Sequence, residues 1–279
     1  MPAAKPKSSA GIIQAEVTGT RGPGHRIFGA MSLLTSIRQL TFAAFAFALT
    51  ISAPCLAKRQ VVLELYTSQG CSSCPPADAL IERLSDRPDI LGLSLPVTYW
   101  DMLGWKDTLA SEANTRRQKA YAASMGRGGV YTPQIIVDGV TDVVGSREAQ
   151  VEAAIGARRS DMREVPITLS VSPAAVHIGV GALPEKNTED ATVWLFHVLS
   201  HAVVRIGAGE NKGHNLDYRN VVRDVRAVAL WKGQPLTLDI PRGDQSVPGY
   251  DSVAVVVQEN PYGRVIGARM ISTSSIQQH

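Results

Sequence analysis

Cys71 and Cys74, separated by Ser72 and Ser73, are the residues whose type and spacing most directly suggest chemistry. They sit between an apolar, β-rich run (VVLELY, 61–66) and a segment, ADALIERLSD, whose Leu80, Ile81 and Leu84 recur at helical spacing. Pro75 and Pro76 suit the first turn of that helix. A thiolate is the attacking species in thiol–disulfide exchange. The positive end and free N–H groups of a helix N-terminus lower a thiol's pKa from its ordinary value of about 8.5. The i, i+3 spacing puts the second sulfur on the same face, within reach of a mixed disulfide on the first. Cys71, expected to be the more exposed, is read as the attacking thiol and Cys74 as the resolving one.

Two other readings of the pair stand beside this one. Half a zinc site would need further nitrogen or sulfur ligands. The only other cysteine, Cys55, lies upstream, and His177, His197, His201 and His214 lie in the other half of the chain. A purely structural bridge is the second; closing so short a loop adds little stability. No metal and no cofactor is expected.

The elements that must hold the pair follow from the pattern around it. A second strand is read over 91–99. A helix over 112–125 is capped by Ser111 and stopped at Gly126, Gln134–Val137 forms a strand, TDVVGS forms another, and a last helix spans 147–158. After about residue 162 many short apolar runs (VPITLSV, AVHIGVG, ATVWLFHV, SVAVVVQ) alternate with Gly, Pro, Asn and Asp turns, which suggests a β-sandwich. Trp100, Asp101 and Trp105 follow the second strand, at the end where ligands gather in open α/β sheets. Trp100 and Trp105 are candidates for binding an extended peptide, with core packing as the alternative.

Upstream, residues 40–53 (LTFAAFAFALTISA) are apolar and uncharged, Arg38 precedes them, and small residues end near Ala57. This is the pattern of a cleaved secretory leader, expected over 1–57 with Met31 as a candidate true start. An uncleaved anchor is the alternative. Cleavage near Ala57 would deliver the remainder to the periplasm or beyond, where disulfides persist. The net charge of +3 includes several basic residues in the first 40, so the remainder is close to neutral and does not suggest nucleic-acid binding.

The order strand–CxxC–helix, followed by Thr132-Pro133 before a strand, resembles the thioredoxin superfamily. That resemblance implies a cis-proline at Pro133 facing the dithiol and ordering a substrate backbone. Thr132 beside it is more similar to bacterial disulfide isomerases and glutaredoxins. It also implies a buried acid on the first strand, here Glu64, moving a proton for the inner cysteine, with a solvent-facing or salt-bridged Glu as the alternative. More closely, ELYTSQGCSSCPPAD, YWDMLGWKD, RRQKAY, VYTPQIIVDG and GENKGHNLDYRNVVRDV together resemble a bacterial family of secreted thioredoxin-like proteins catalogued as a domain of unknown function. The resemblance runs over most of 60–279. SLPVTYWD departs from that family's pattern in lacking a His before Tyr-Trp-Asp.

The expected fold is therefore an α/β thioredoxin-like domain over 58–161, followed by an all-β, sandwich-like C-terminal domain over 162–279. The expected function is a periplasmic or secreted thiol–disulfide oxidoreductase, reductase or isomerase. Its partners would be thiol- or disulfide-containing exported proteins and an upstream redox partner. The alternatives are a Cu(I)-handling chaperone using the dithiol and a non-catalytic binding protein carrying an inert disulfide.

Overall fold

VVLELYT forms a central strand, β1 (Val61–Thr67), every residue of which is buried. An unbroken apolar run suits a strand covered on both faces. Val61, Leu63 and Leu65 face helices α1 (Pro75–Ser85) and α3 (Glu148–Arg159). Val62 and Tyr66 face the opposite way, into a core shared with Tyr121 of α2 (Glu112–Ser124). The computed structural model describes residues 59–160, 163–183, 190–242, 247 and 249–273. The expected leader, with Met31, Cys55 and the cleavage site near Ala57, lies outside the described residues.

The local signals behave as their chemistry requires. Cys74 is the N-cap of α1 and Pro75 its first residue. Ser111 caps α2, its hydroxyl accepting from the Asn114 N–H at 3.2 Å. Gly126, just past the end of α2, takes the left-handed conformation at φ +65°.

The remaining strands are β2 (Ile90–Pro96), β3 (Gln134–Val137), β4 (Thr141–Val144), β5 (Ile167–Val171), β6 (Ala175–Val180), β7 (Ala191–Arg205), β8 (Asn215–Trp231), β9 (Leu236–Pro241), β10 (Ser252–Glu259) and β11 (Val265–Ser272). Eight of the strands form one mixed sheet in the order β11-β10-β7-β8-β2-β1-β3-β4. β5, β6 and β9 form a second sheet. Its Val176, Ile178 and Val180 pack on Val193, Leu195, Val253, Val255 and Val257 of the first.

This overturns the expected α/β thioredoxin-like domain followed by an all-β domain. Strands from both halves of the chain belong to one sheet, and the chain is mostly β, with three α-helices among the described residues. The change of texture near residue 162 is real, since β5 opens the second sheet there. It does not end the first sheet, because β7, β8, β10 and β11 return to it.

The seam between β2 and β8 is held largely by side chains. Ser94 and Val221 are the one residue pair in parallel register. Around them the Ser94 hydroxyl donates to the Arg219 carbonyl at 2.8 Å, and Asn220 Nδ2 donates to the Gly92 carbonyl at 2.8 Å. Asn114 Nδ2, from α2, donates to the Val222 carbonyl at 3.2 Å. Asn220 is buried at φ +49°, a left-handed conformation that Asn tolerates better than most residues. Asn220→Ala should lower unfolding stability by about 2–3 kcal/mol, combining the lost buried hydrogen bond with the backbone penalty. Asn220→Gly should recover the backbone share only. Urea denaturation of both variants measures this; a loss under about 0.5 kcal/mol in the alanine variant would show that the seam does not depend on this side chain.

Candidate dithiol site

The segment Ser68–Cys74 leaves the end of β1 as a tight loop. Cys71 N–H donates to the Ser68 carbonyl at 3.1 Å and Cys74 N–H to the Cys71 carbonyl at 3.2 Å. Cys71 and Cys74 are disulfide-bonded, with Cα atoms 5.4 Å apart. The Ser73 hydroxyl lies 3.3 Å from Cys71 Sγ.

Gln69 anchors the loop. Its N–H donates to Asp107 Oδ2 at 2.8 Å, and its side-chain oxygen accepts from Trp105 Nε1 at 2.8 Å. Gly70 stands where the chain passes close to Trp100: a Cβ there would lie 3.2 Å from Trp100 Cβ. Trp100 Nε1 in turn donates to Thr132 Oγ1 at 2.8 Å. The Thr132–Pro133 peptide is cis. Pro133 and Ala77, in the first turn of α1, both border Gly145. Trp100, Trp105, Thr132 and Pro133 are thus gathered around the dithiol loop.

Two expectations about this site are corrected. Cys71 is not the exposed member of the pair. Both cysteines are fully buried, and only Ser72 and Ser73 between them reach solvent. Glu64 does not lie on the dithiol helix's side of the sheet. It is on the opposite face of β1, where Arg117 Nε and Nη2 donate to its two oxygens at 2.6 and 2.9 Å. The Tyr121 and Tyr66 hydroxyls add bonds at 2.6 and 3.1 Å. Arg117 is itself ringed by Tyr121, Trp194, Phe196 and Tyr262, at 4.7–5.6 Å from its guanidinium carbon. Burial opposes the guanidinium's charge, but Glu64 holds it more firmly protonated than usual.

A different acid shares a helix face with Cys74. Asp78 is one turn along α1, its N–H donating to the Cys74 carbonyl at 3.1 Å. It is buried, and neither carboxylate oxygen has a hydrogen-bond partner. The nearby Thr67 Oγ1 and Tyr218 hydroxyl are also buried without partners. Burial pushes Asp78 up to about 8; the proximity of Thr67 favours the charged form and that of Asp107 opposes it. Asp107 is raised by burial too, against the pull of the backbone N–H groups of Gln69, Leu109 and Ala110. Asp78 lines an open cleft of about 190 Å³ between α1 and the start of β8, bordered by Pro75, Glu82 and Asp217. An acid within the apolar stripe of α1, three residues before Ile81, was the available sequence signal.

The histidines pair with acids elsewhere: His177 with Asp239 at 2.6 Å, His201 with Asp217 at 2.7 Å and His197 with Asp224 at 3.5 Å. Among the described residues no group of three or more His, Cys, Asp or Glu is placed to hold a metal.

The segment GENKGH closes the β7–β8 hairpin and reaches the dithiol loop. Asn211 Nδ2 donates to the Gln69 and Cys71 carbonyls at 2.9 and 3.0 Å. Glu210 Oε2 accepts from the Ser72 N–H at 3.3 Å. The sequence matches the family described as Protein of unknown function (DUF1223) over residues 62–258. The chain belongs to the DUF1223 family.

A crystal structure of an Agrobacterium tumefaciens protein is 32% identical and superposes with a TM-score of 0.68, over 79% of this chain and 97% of that one. HBP35 of Porphyromonas gingivalis is 14% identical, with a TM-score of 0.52 over 78% of this chain and 76% of that one, a likeness of fold alone. No curated protein matches. In this DUF1223 chain the five stretches singled out in the sequence meet around the dithiol and the Glu64–Arg117 pair. They contribute Cys71, Cys74 and Asp78; Trp100, Trp105 and Asp107; Arg117 and Tyr121; Thr132 and Pro133; and Asn211 and Tyr218.

Asp78 has a folded-state pKa above its unfolded value, so the folded chain binds more protons than the unfolded one between about pH 4 and 8. Its contribution to stability is present in full below the unfolded pKa and is lost as pH rises through the folded pKa. Asp78→Asn removes that dependence. Its melting temperature relative to the parent should rise from pH 5 to about pH 8 and level off above that, and a constant difference across pH 5–8 would refute the shift. Arg117→Met should cost about 3–5 kcal/mol in chemical denaturation, because it leaves the Glu64 carboxylate buried without its cation. The double variant Glu64→Gln/Arg117→Met should be more stable than Arg117→Met alone.

Proposed function

We propose that this protein is a thiol–disulfide oxidoreductase acting outside the cytoplasm through Cys71 and Cys74, with Asp78 rather than Glu64 handling the proton of the inner cysteine. The observation that carries the reading is a dithiol at the N-cap of α1 with a buried, unpartnered acid one turn along the same helix. The apolar run at 40–53 supports export. Exported proteins bearing thiols or disulfides would be its clients, with a separate redox partner restoring the working state.

In the oxidising direction, a client thiolate attacks Cys71 Sγ. The Cys71–Cys74 bond breaks, a mixed disulfide forms, and Cys74 leaves as a thiolate that takes the proton of Asp78. A second client thiolate then attacks the client sulfur of the mixed disulfide and expels Cys71 as a thiolate. Two electrons have passed from the client to the protein, and the client holds a new disulfide. In the reducing direction the steps reverse: the Asp78 carboxylate accepts the Cys74 proton as Cys74 attacks the mixed disulfide. A group whose pKa is about 8 serves both directions near neutral pH.

The burial of both cysteines favours a second reading, a structural bridge in a binding protein. The reduction potential separates the two. Equilibration of the purified chain with glutathione should give a value between about −120 and −270 mV; a value below about −300 mV would overturn the redox reading.

A further inference from the structure

An attacking thiolate must reach a disulfide sulfur directly. Cys71 and Cys74 have no solvent-accessible surface, so some neighbouring segment must move before exchange can occur. The segments around the loop are not equally fixed. Residues 98–107 are tied by the Thr98 N–H to Thr115 Oγ1 at 3.0 Å, by Trp100 to Thr132, and by the Asp107 N–H to Asp101 Oδ1 at 3.0 Å. The β7–β8 tip rests on Trp105, close to Gly207 and Gly209, but has fewer polar ties. It projects beyond the hairpin's last cross-strand bonds, Ile206 N–H to the His214 carbonyl at 2.9 Å and Gly213 N–H to the Ile206 carbonyl at 2.8 Å. Gly209 and Gly213, on either side of Asn211, have φ of +76° and +86°. The side-chain hydrogen bonds from this tip to the dithiol loop are the two of Asn211 and the one of Glu210.

We propose that the β7–β8 tip is a gate over the dithiol and that Asn211 is its latch: release of Asn211 from the Gln69 and Cys71 carbonyls lifts the tip and admits an attacking thiolate to Cys71. The inference rests on the redox reading for its purpose, and it makes Asn211 a positioning residue. The side chain is buried and comes from 140 positions away in sequence. Both bonds end on carbonyls of the loop that carries the sulfurs. A closed gate protects the bridge from small thiols, and a client able to displace the tip gains access.

The test is the rate at which dithiothreitol reduces Cys71–Cys74 in the folded, full-length protein. Dithiothreitol becomes its cyclic disulfide and supplies the two electrons and two protons. Asn211→Ala, checked for an intact melting transition, should be reduced at least about fivefold faster than the parent, since its two hydrogen bonds no longer hold the gate. An unchanged rate overturns the proposal.

If Asn211→Ala does not fold, a surface pair decides. Glu210→Ala should be reduced faster than Glu210→Gln, because both remove the charge and only the glutamine retains an acceptor for the Ser72 N–H. Equal rates in the two overturn the gate. The equilibrium potential tests the redox reading and these rates test the gate, so either can fail while the other stands.

Discussion

Coverage of β1 on both faces is the constraint from which the rest of the structure follows. A strand buried on both sides offers its polar neighbours no water, so each must find a partner inside or take its neutral form. Glu64 illustrates the first outcome. One strand residue creates the need for Arg117 and for the tyrosines that complete its hydrogen bonds, and the aromatic ring set of Trp194, Phe196 and Tyr262 draws in β7 and the turn after β10. The ion pair therefore joins α2 to strands that arrive more than 70 residues later.

The β7–β8 hairpin is the second organising element. Its strands are 15 and 17 residues long, well beyond an ordinary strand, and they run from the second sheet's core to the dithiol. Register shifts between Val193 and Trp194 and between His197 and Val198 mark bulges, which bend and twist a long ribbon. Trp231 at one end lies in the core shared with β5, β6 and β9, and Asn211 at the other bonds to the Cys71 carbonyl. A hairpin of this length lets one sheet serve both the core and the site.

What the sequence made legible was local. Ser111, Pro75 and Gly126 mark helix ends because their chemistry acts within a turn, and the continuous run at 61–66 marks a buried strand. Pairing between distant segments leaves no such trace. Nothing in NLDYRNVVRDV states that Val221 lies beside Ser94, and that pairing is what turns two expected domains into one sheet. Cys71 is buried for the same reason. Its own neighbours, Ser72 and Ser73, are exposed, while a tip 140 residues away bonds to its carbonyl. The role first expected of Glu64 failed through register. Residues alternate faces along a strand, and Glu64 shares its face with Val62 and Tyr66, not with the residues that meet α1.

The two buried acids differ in what surrounds their charge. Glu64 is the counter-charge of the Arg117 guanidinium, which is buried among aromatic rings with Nη1 lacking a hydrogen-bond partner. Asp78 has no cation to abandon. Its neighbours Thr67 Oγ1 and Tyr218 Oη are neutral hydroxyls. Gain or loss of a proton there changes one charge and breaks no ion pair. Asp107 shows the contrast: its carboxylate accepts from three backbone N–H groups, those of Gln69, Leu109 and Ala110. A buried acid without a counter-charge on the helix that begins at Cys74 is unfavourable for folding, and the proposed exchange chemistry would give that cost a purpose.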